Sequence, residues 1–142
     1  MSDPIALQGL LDTSTVFLLR ELDDAQVLPN EPYISTVTLA ELSVGPLVAH
    51  SEKERAARQA HLQQAEADFD PLPFDVDAAR AFGQVAASLR RSGRKAIARA
   101  YDAMIAAVAI SNDLPLYTCN SGDFVGIEGL RVVPVPHPDQ RS

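Results

Sequence analysis

Four acidic residues stand where apolar sequence breaks off: Asp12 after Leu10-Leu11, Glu41 after Leu39-Ala40, Asp102 before Ala103-Met104-Ile105, and Asp123 before Phe124. Carboxylates gathered in one place repel each other and cannot all stay ionised cheaply. A hard divalent cation removes that conflict. Magnesium takes oxygen ligands, keeps several waters and accepts a few carboxylates together with substrate phosphate. Brought together, these acids would be the metal-holding, catalytic donor set of a phosphodiester hydrolase. Each also has a plainer reading. Asp12 can be a helix N-cap, and Thr38-Leu39-Ala40-Glu41 fits a capping box in which the Glu serves only the backbone of Thr38. Asp102 can cap its helix and Asp123 can hold a turn.

The elements that would position these acids follow from apolar patterning. Ile5 to Leu11 is short enough for a buried strand, and Val16 to Leu22 reads as a helix after the capping types Asp12-Thr13-Ser14. Glu21 to Glu31 is a polar loop, and the β-branched and aromatic run Tyr33 to Val37 predicts a second strand. Thr38 then opens a helix that Gly45-Pro46 should end or kink. Ser51 to Asp68, rich in Ala and charge, predicts an exposed helical arm, and Phe69 to Phe74 can be at most an irregular edge strand. Asp75 to Arg91 repeats Val76, Ala79, Phe82, Ala86 and Leu89 at helical spacing. Ala100 to Ile110 is apolar nearly all round, as in a helix buried inside a fold. Leu114 to Cys119 and Arg131 to Val135 are further strands. Alternating strands and helices predict an α/β fold with a mostly parallel sheet covered on both faces. Such sheets bind ligands beyond the carboxyl ends of their strands. All four acids belong to that edge.

The 142 residues suit one domain, spanning 1–142 with an extended tail over 136–142. Apolar residues make up 46% and charged residues 22%, ordinary for a globular protein. Twelve basic and nineteen acidic residues give a net charge of −7, which excludes a uniformly basic nucleic-acid coater or membrane-surface protein. One cysteine excludes a disulfide framework and fits a reducing cytoplasm. Neither a signal-peptide pattern nor an apolar run long enough for a membrane span is present, so a cytoplasmic location is expected.

The four motifs together resemble the PIN-domain ribonucleases, specifically the VapC-like toxins of type II toxin–antitoxin systems. Leu11-Asp12-Thr13-Ser14, Thr38-Leu39-Ala40-Glu41-Leu42, Tyr101-Asp102-Ala103-Met104-Ile105-Ala106-Ala107 and Thr118-x-Asn120-x-x-Asp123-Phe124 occur in the family's order. The resemblance covers about residues 8 to 135. The resemblance implies an α/β/α sandwich, a magnesium- or manganese-dependent endoribonuclease, a homodimer, and inhibition by a co-expressed VapB-like antitoxin that inserts an arginine. Carried over, Asp12, Glu41, Asp102 and Asp123 become the catalytic and metal-binding quartet, with Ser14 and Thr118 as hydrogen-bonding supports. Some relatives carry an acid at the position of Asn120, so the fourth oxygen can come from Asn120, from Asp123 or from both. Met104 and Cys119 stand at positions that vary in the family.

Five basic residues, Arg90, Arg91, Arg94, Lys95 and Arg99, fall within ten positions just before Asp102 and are the expected RNA-phosphate contacts. The plainer reading is a solvated charge run. A metal-free mechanism wants a paired general acid and base, yet His50 and His61 lie on or beside the polar arm and His137 lies in the tail. Cys119 reads as a structural thiol rather than a nucleophile. A phospho-receiver domain shares the small parallel fold and an acidic pocket but needs a lysine after a late strand. Lys53 and Lys95 are misplaced for that role. A catalytically inactive PIN-like module that binds RNA or protein is the remaining alternative.

Overall fold

A computed structural model of the chain describes residues 8–22, 27–94 and 99–138. Lys95 and the last residues of the tail lie outside them. Four strands, β1 (Gln8–Leu11), β2 (Glu31–Tyr33), β3 (Leu116–Thr118) and β4 (Val132–Pro134), form one sheet in the order β2-β1-β3-β4. Every pairing is parallel, with Leu10 opposite Tyr33 on one side and Leu116 on the other. The helices are α1 (Thr13–Phe17), α2 (Thr36–Val44), α3 (Glu52–Asp68), α4 (Val76–Arg91) and α5 (Ala100–Ser111).

Strand alternation divides the interior into two cores. Leu10 and Leu116 face α4 and α5, where Ala103 and Ile105 to Ala109 are buried all round the helix. Leu11, Ile34 and Tyr117 face the other way, against Val16 and Leu42, with Ala65 of α3. These are the two outer layers of an α/β/α sandwich. At the sheet's centre Gly9 lies under the Tyr117 ring. A Cβ there would fall 2.5 Å from the ring, so any side chain at residue 9 would push Tyr117 away.

Several expected boundaries shift, for identifiable reasons. The second strand is Glu31–Tyr33 rather than Tyr33 to Val37, and Pro32 is tolerated because β2 is an edge strand. Ile34 and Ser35 instead pair with Leu72, through Leu72 N–H to Ile34 O and Thr36 N–H to Leu72 O, both 2.9 Å. That bridge is all that forms of the irregular edge strand expected over Phe69 to Phe74. The helix after β2 starts at Thr36, not Thr38, because the Ser35 side chain caps it by accepting from Thr38 N–H. The first helix begins directly after Asp12 and continues, after Leu18, as a 3-10 turn over Leu19–Glu21.

The buried stripe of α4 is Ala78, Val85, Ser88 and Leu89; Val76 is 65% exposed and Ala79 is also outside. Of the expected stripe Leu89 is buried and Phe82 packs against the core, while Val76 and Ala79 in the first turn face outward and Ala78 takes their place. The arm reading of α3 holds, with Ala65 its buried residue. Among the described residues no helix is long and apolar enough to cross a membrane.

Candidate active site

The parallel sheet aims the ends of β1 and β3 at the same edge. Asp12 immediately follows β1 and Thr118 ends β3. α2 leaves that edge after β2, and α5 must start there because its far end feeds the opposite edge of β3. Glu41 and Asp102 are thereby carried to the same place, and the 3-10 turn Ser121–Phe124 after β3 adds Asp123.

Asp12 is 3% exposed, and its carboxylate is surrounded by donors. It accepts from Thr15 N–H at 3.1 Å, from the Thr15 hydroxyl at 2.6 Å and from the Thr118 hydroxyl at 2.7 Å. The Ser14 hydroxyl lies 3.1 and 3.0 Å from its two oxygens. Asp12 does cap α1, yet one cap bond does not account for three further hydroxyls. A buried carboxylate is acceptable only when hydrogen-bonded in this way. Thr15 is itself fixed, accepting from Cys119 N–H at 3.1 Å, and Thr118 accepts from Asn120 N–H at 2.9 Å.

Glu41 is released from capping, since Ser35 does that work. Its carboxylate accepts instead from the Thr13 hydroxyl at 2.5 Å, and Thr13 lies 3.0 Å from the Thr38 hydroxyl. Burial raises the pKa of Glu41, Thr13 opposes that, and the charge of Asp12 adds to it. Asp102 caps nothing: the N-cap of α5 is Arg99, which makes no side-chain cap bond. Burial raises its pKa from the ordinary 3.8 to about 6, and Asp123, Glu41 and Asp12 push the same way against Arg99. Asp102 therefore lies within electrostatic reach of the other three acids. Asp123 forms the expected turn through its N–H to Asn120 O, while its carboxylate meets the Arg99 guanidinium at 3.0 Å.

A family model for the PIN domain matches residues 7–128. This chain belongs to the PIN-domain family. Among curated relatives it is 42% identical over 131 residues to Ribonuclease VapC5 of Mycobacterium tuberculosis (strain ATCC 25618 / H37Rv), which spans 89% of this chain and 93% of that protein. Among solved structures it is similar to VapBC-5 from Mycobacterium tuberculosis, a member of the VapBC family of toxin–antitoxin systems. The TM-score is 0.76 at 38% identity, covering 89% of this chain and 98% of that one. DNA-bound VapBC from Salmonella typhimurium gives 0.72 at 28% identity, covering 88% and 96%.

In this PIN domain, no three His, Cys, Asp or Glu side chains among the described residues form a ready-made metal cage. The donor set still fits a hard cation. Magnesium is held through one or two carboxylates and retained waters, and a divalent cation would relieve the like-charge repulsion that adds to burial in raising Asp102.

The expected basic stripe is largely engaged elsewhere. Arg94 donates to Gly122 O at 2.9 Å and Asp123 O at 3.1 Å, and Arg91 pairs with Glu128 at 3.3 Å. Arg99 lies on the acids. Arg90 is exposed at the end of α4. From the sequence, Thr13 and Thr38 have only capping roles and Thr15 has none, although the hydroxyl run Thr13-Ser14-Thr15 beside Asp12 is a signal that could have found two of them. His61 stacks on Phe17, centroids 4.4 Å apart, a packing role. Burial raises the Cys119 thiol pKa, which suits its structural reading.

Proposed function

We propose that this PIN domain is a metal-dependent endoribonuclease, the toxin of a VapBC-type toxin–antitoxin pair. The observation that carries the reading is the gathering of Asp12, Glu41, Asp102 and Asp123 at the carboxyl edge of a parallel sheet, where burial first and the other three acids second raise Asp102 to about 6. The resemblance to Ribonuclease VapC5 supports the substrate class. A bound magnesium or manganese ion would make hydroxide available near neutral pH and neutralise charge developing on the scissile phosphate.

The chain's own residues do the positioning. Asp12 is held in one orientation by Ser14, Thr15 and Thr118, so its carboxylate would meet a cation without first being turned. Thr13 orients Glu41 in the same manner. Asp102 and Asp123 supply further oxygens, with Asn120 beside them as the alternative fourth donor. Arg90 and Arg99 would meet the RNA backbone; Lys95, expected to do the same, lies outside the described residues. Hydrolysis would leave a 5′-phosphate and a 3′-hydroxyl.

A VapB-like antitoxin partner is supported by the VapBC structures that this chain resembles. A groove of about 360 Å³ between α1 and α3, lined by apolar Val16, Phe17 and Phe69 and by polar Arg20, Gln64 and Asp68, opens along the helix that Asp12 caps. A partner segment lying there could reach the acids. An arginine from it would suit them, because its planar fork pairs carboxylates bidentately. A homodimer belongs to the same reading, on the resemblance alone.

Incubating the purified chain with RNA, with Mg²⁺ or with EDTA, tests the proposal. Cleavage to 5′-phosphate products that EDTA abolishes is expected. RNA binding without cleavage at millimolar Mg²⁺ or Mn²⁺ would favour an inactive module instead. Mapping RNA 5′ ends in cells expressing the chain would then identify the substrate.

A further inference from the structure

Arg99 sits where a cation is electrostatically out of place. It is the N-cap residue of the twelve-residue α5, and the helix macrodipole disfavours positive charge at that end. It contributes no side-chain cap bond. What holds it is the acidic site: its Nη1 lies 3.0 Å from Asp123 Oδ1, a hydrogen bond, and 4.0 Å from Asp102 Oδ2, a looser electrostatic contact. Five residues earlier, Arg94 holds the same turn differently, through the carbonyls of Gly122 and Asp123. One arginine of this connector braces backbone, and the other neutralises charge.

Two properties make the Arg99 contact exchangeable. The three side chains are about one-third exposed (35% for Arg99, 31% for Asp102, 41% for Asp123), and ion pairs at such exposure are weak. A single guanidinium also meets only two of the four carboxylates, Asp102 and Asp123, so it leaves most of the negative charge uncompensated. Asp102 stays raised despite it, with Arg99 the smallest influence upon it. A divalent cation would compete for these oxygens with twice the charge. A displaced guanidinium would remain beside the site, and its planar donor fork matches phosphate as well as carboxylate.

We propose that Arg99 is a built-in counter-cation of the acidic site, which gives up Asp102 and Asp123 to the divalent metal and then pairs with an RNA phosphate. The inference rests on the metal-dependent ribonuclease reading and deepens it. The competing view is a permanent clamp, in which Arg99 fixes Asp123 whether or not metal is bound.

The two differ in metal affinity measured without RNA. Calorimetric titration of Mn²⁺ into the full chain should show Arg99→Gln binding roughly 3- to 10-fold more tightly than wild type, since a weak competing pair has been removed. At saturating Mn²⁺ the same variant should show a raised KM for RNA. Tighter metal binding together with a raised KM supports the proposal; unchanged or weaker Mn²⁺ binding, or an unchanged KM, overturns it. A second measurement needs no variant. Arginine side-chain NMR of the wild type during Mg²⁺ titration should move the Arg99 Nε signal and leave that of Arg94 in place. A static Arg99 signal at saturating Mg²⁺ would establish the clamp. If wild type and variant both fail to bind Mn²⁺, the metal-dependent ribonuclease reading itself fails, an outcome distinct from equal affinities.

Discussion

The two halves of the acidic site are built on opposite principles. On the β1 side, Asp12 and Glu41 are met by hydroxyls: Ser14, Thr15 and Thr118 on one, Thr13 on the other. On the α5 side, Asp102 and Asp123 have a single guanidinium between them. Hydroxyls are neutral and fixed by their own partners, so they orient a carboxylate without cancelling its charge. The guanidinium cancels charge but is part-exposed and replaceable. The first half is therefore a rigid template, and the second is where charge is adjusted. The proposed metal-dependent ribonuclease, which would attract a cation and an anionic polymer in turn, would use both properties.

The largest expected effect comes from breaking one carboxylate in each half. Asp12→Asn and Asp102→Asn should each lower Mg²⁺-dependent RNA cleavage by about 100-fold or more, with circular dichroism unchanged. Their stabilities should diverge. Asn at residue 12 directs an amide N–H₂ at hydroxyl donors already committed to the acid and should destabilise the fold by about 1–3 kcal/mol. Asn at residue 102 removes a crowded charge and should stabilise the metal-free protein at neutral pH. Denaturant melts of both variants decide this, and a shared direction would erase the distinction between the halves.

Next in size is the template itself. Thr15→Val keeps the shape of a fully buried side chain but removes the 2.6 Å hydrogen bond to Asp12. Metal affinity should fall about 10-fold, as for other groups that orient ligands, and Thr15→Ser should recover most of it. Equal affinities in the Val and Ser variants would show that the hydroxyl orients nothing.

The pH dependence of stability should be smaller. Asp102 is raised to about 6 by burial and by neighbouring carboxylates, and Glu41 is raised in the same direction. A raised carboxylate holds its proton longer in the folded state than in the unfolded one. Its stabilising contribution is complete below the unfolded value of 3.8 and is lost as pH rises through about 6. With Asp102 partly exposed, the loss should be about 1–3 kcal/mol. The difference between wild type and Asp102→Asn across pH 4 to 7 isolates it. A flat difference would mean that the α5 half carries no charge excess.

The smallest effect concerns the rim. Arg90→Ala should reduce the slope of log affinity for RNA against log salt by about 1, the signature of one lost phosphate contact. Arg94→Ala should act instead by loosening the Gly122–Asp123 turn. A salt slope unchanged in Arg90→Ala would make that residue solvated surface.

Much of this was legible in the sequence because apolar runs and turn residues locate the ends of elements, and the acids stand at those ends. The alternation of strands and helices was enough to place all four at one edge, and the buried character of α5 followed from its unbroken apolar composition. What sequence could not fix was which hydroxyl serves which carboxylate. Thr38 beside Glu41 looks like a capping box, but Ser35 takes the cap because the helix begins two residues earlier. That shift frees Glu41 for Thr13, a contact 28 residues away in the chain. Likewise Arg94, Arg91 and Arg99 looked like one basic stripe. Their partners Gly122, Asp123 and Glu128 come from the segment after β3, which only the fold brings near. Periodicity reports burial, but it does not assign long-range partners to polar side chains.

The central claim is that acids from four separate segments form one cation site. The most direct test is the Mg²⁺-induced change in melting temperature at neutral pH, in the absence of RNA or partner, for wild type, Asp12→Asn and Asp102→Asn. Binding to the folded site alone stabilises by RT ln(1 + [L]/Kd), about 2.7 kcal/mol at a hundredfold excess over Kd. The wild type should gain several degrees, and each variant should gain much less, although one removes an acid of the hydroxyl-lined half and the other an acid of the guanidinium-held half. Equal gains in all three proteins, or no gain in the wild type at millimolar Mg²⁺, would contradict a shared site.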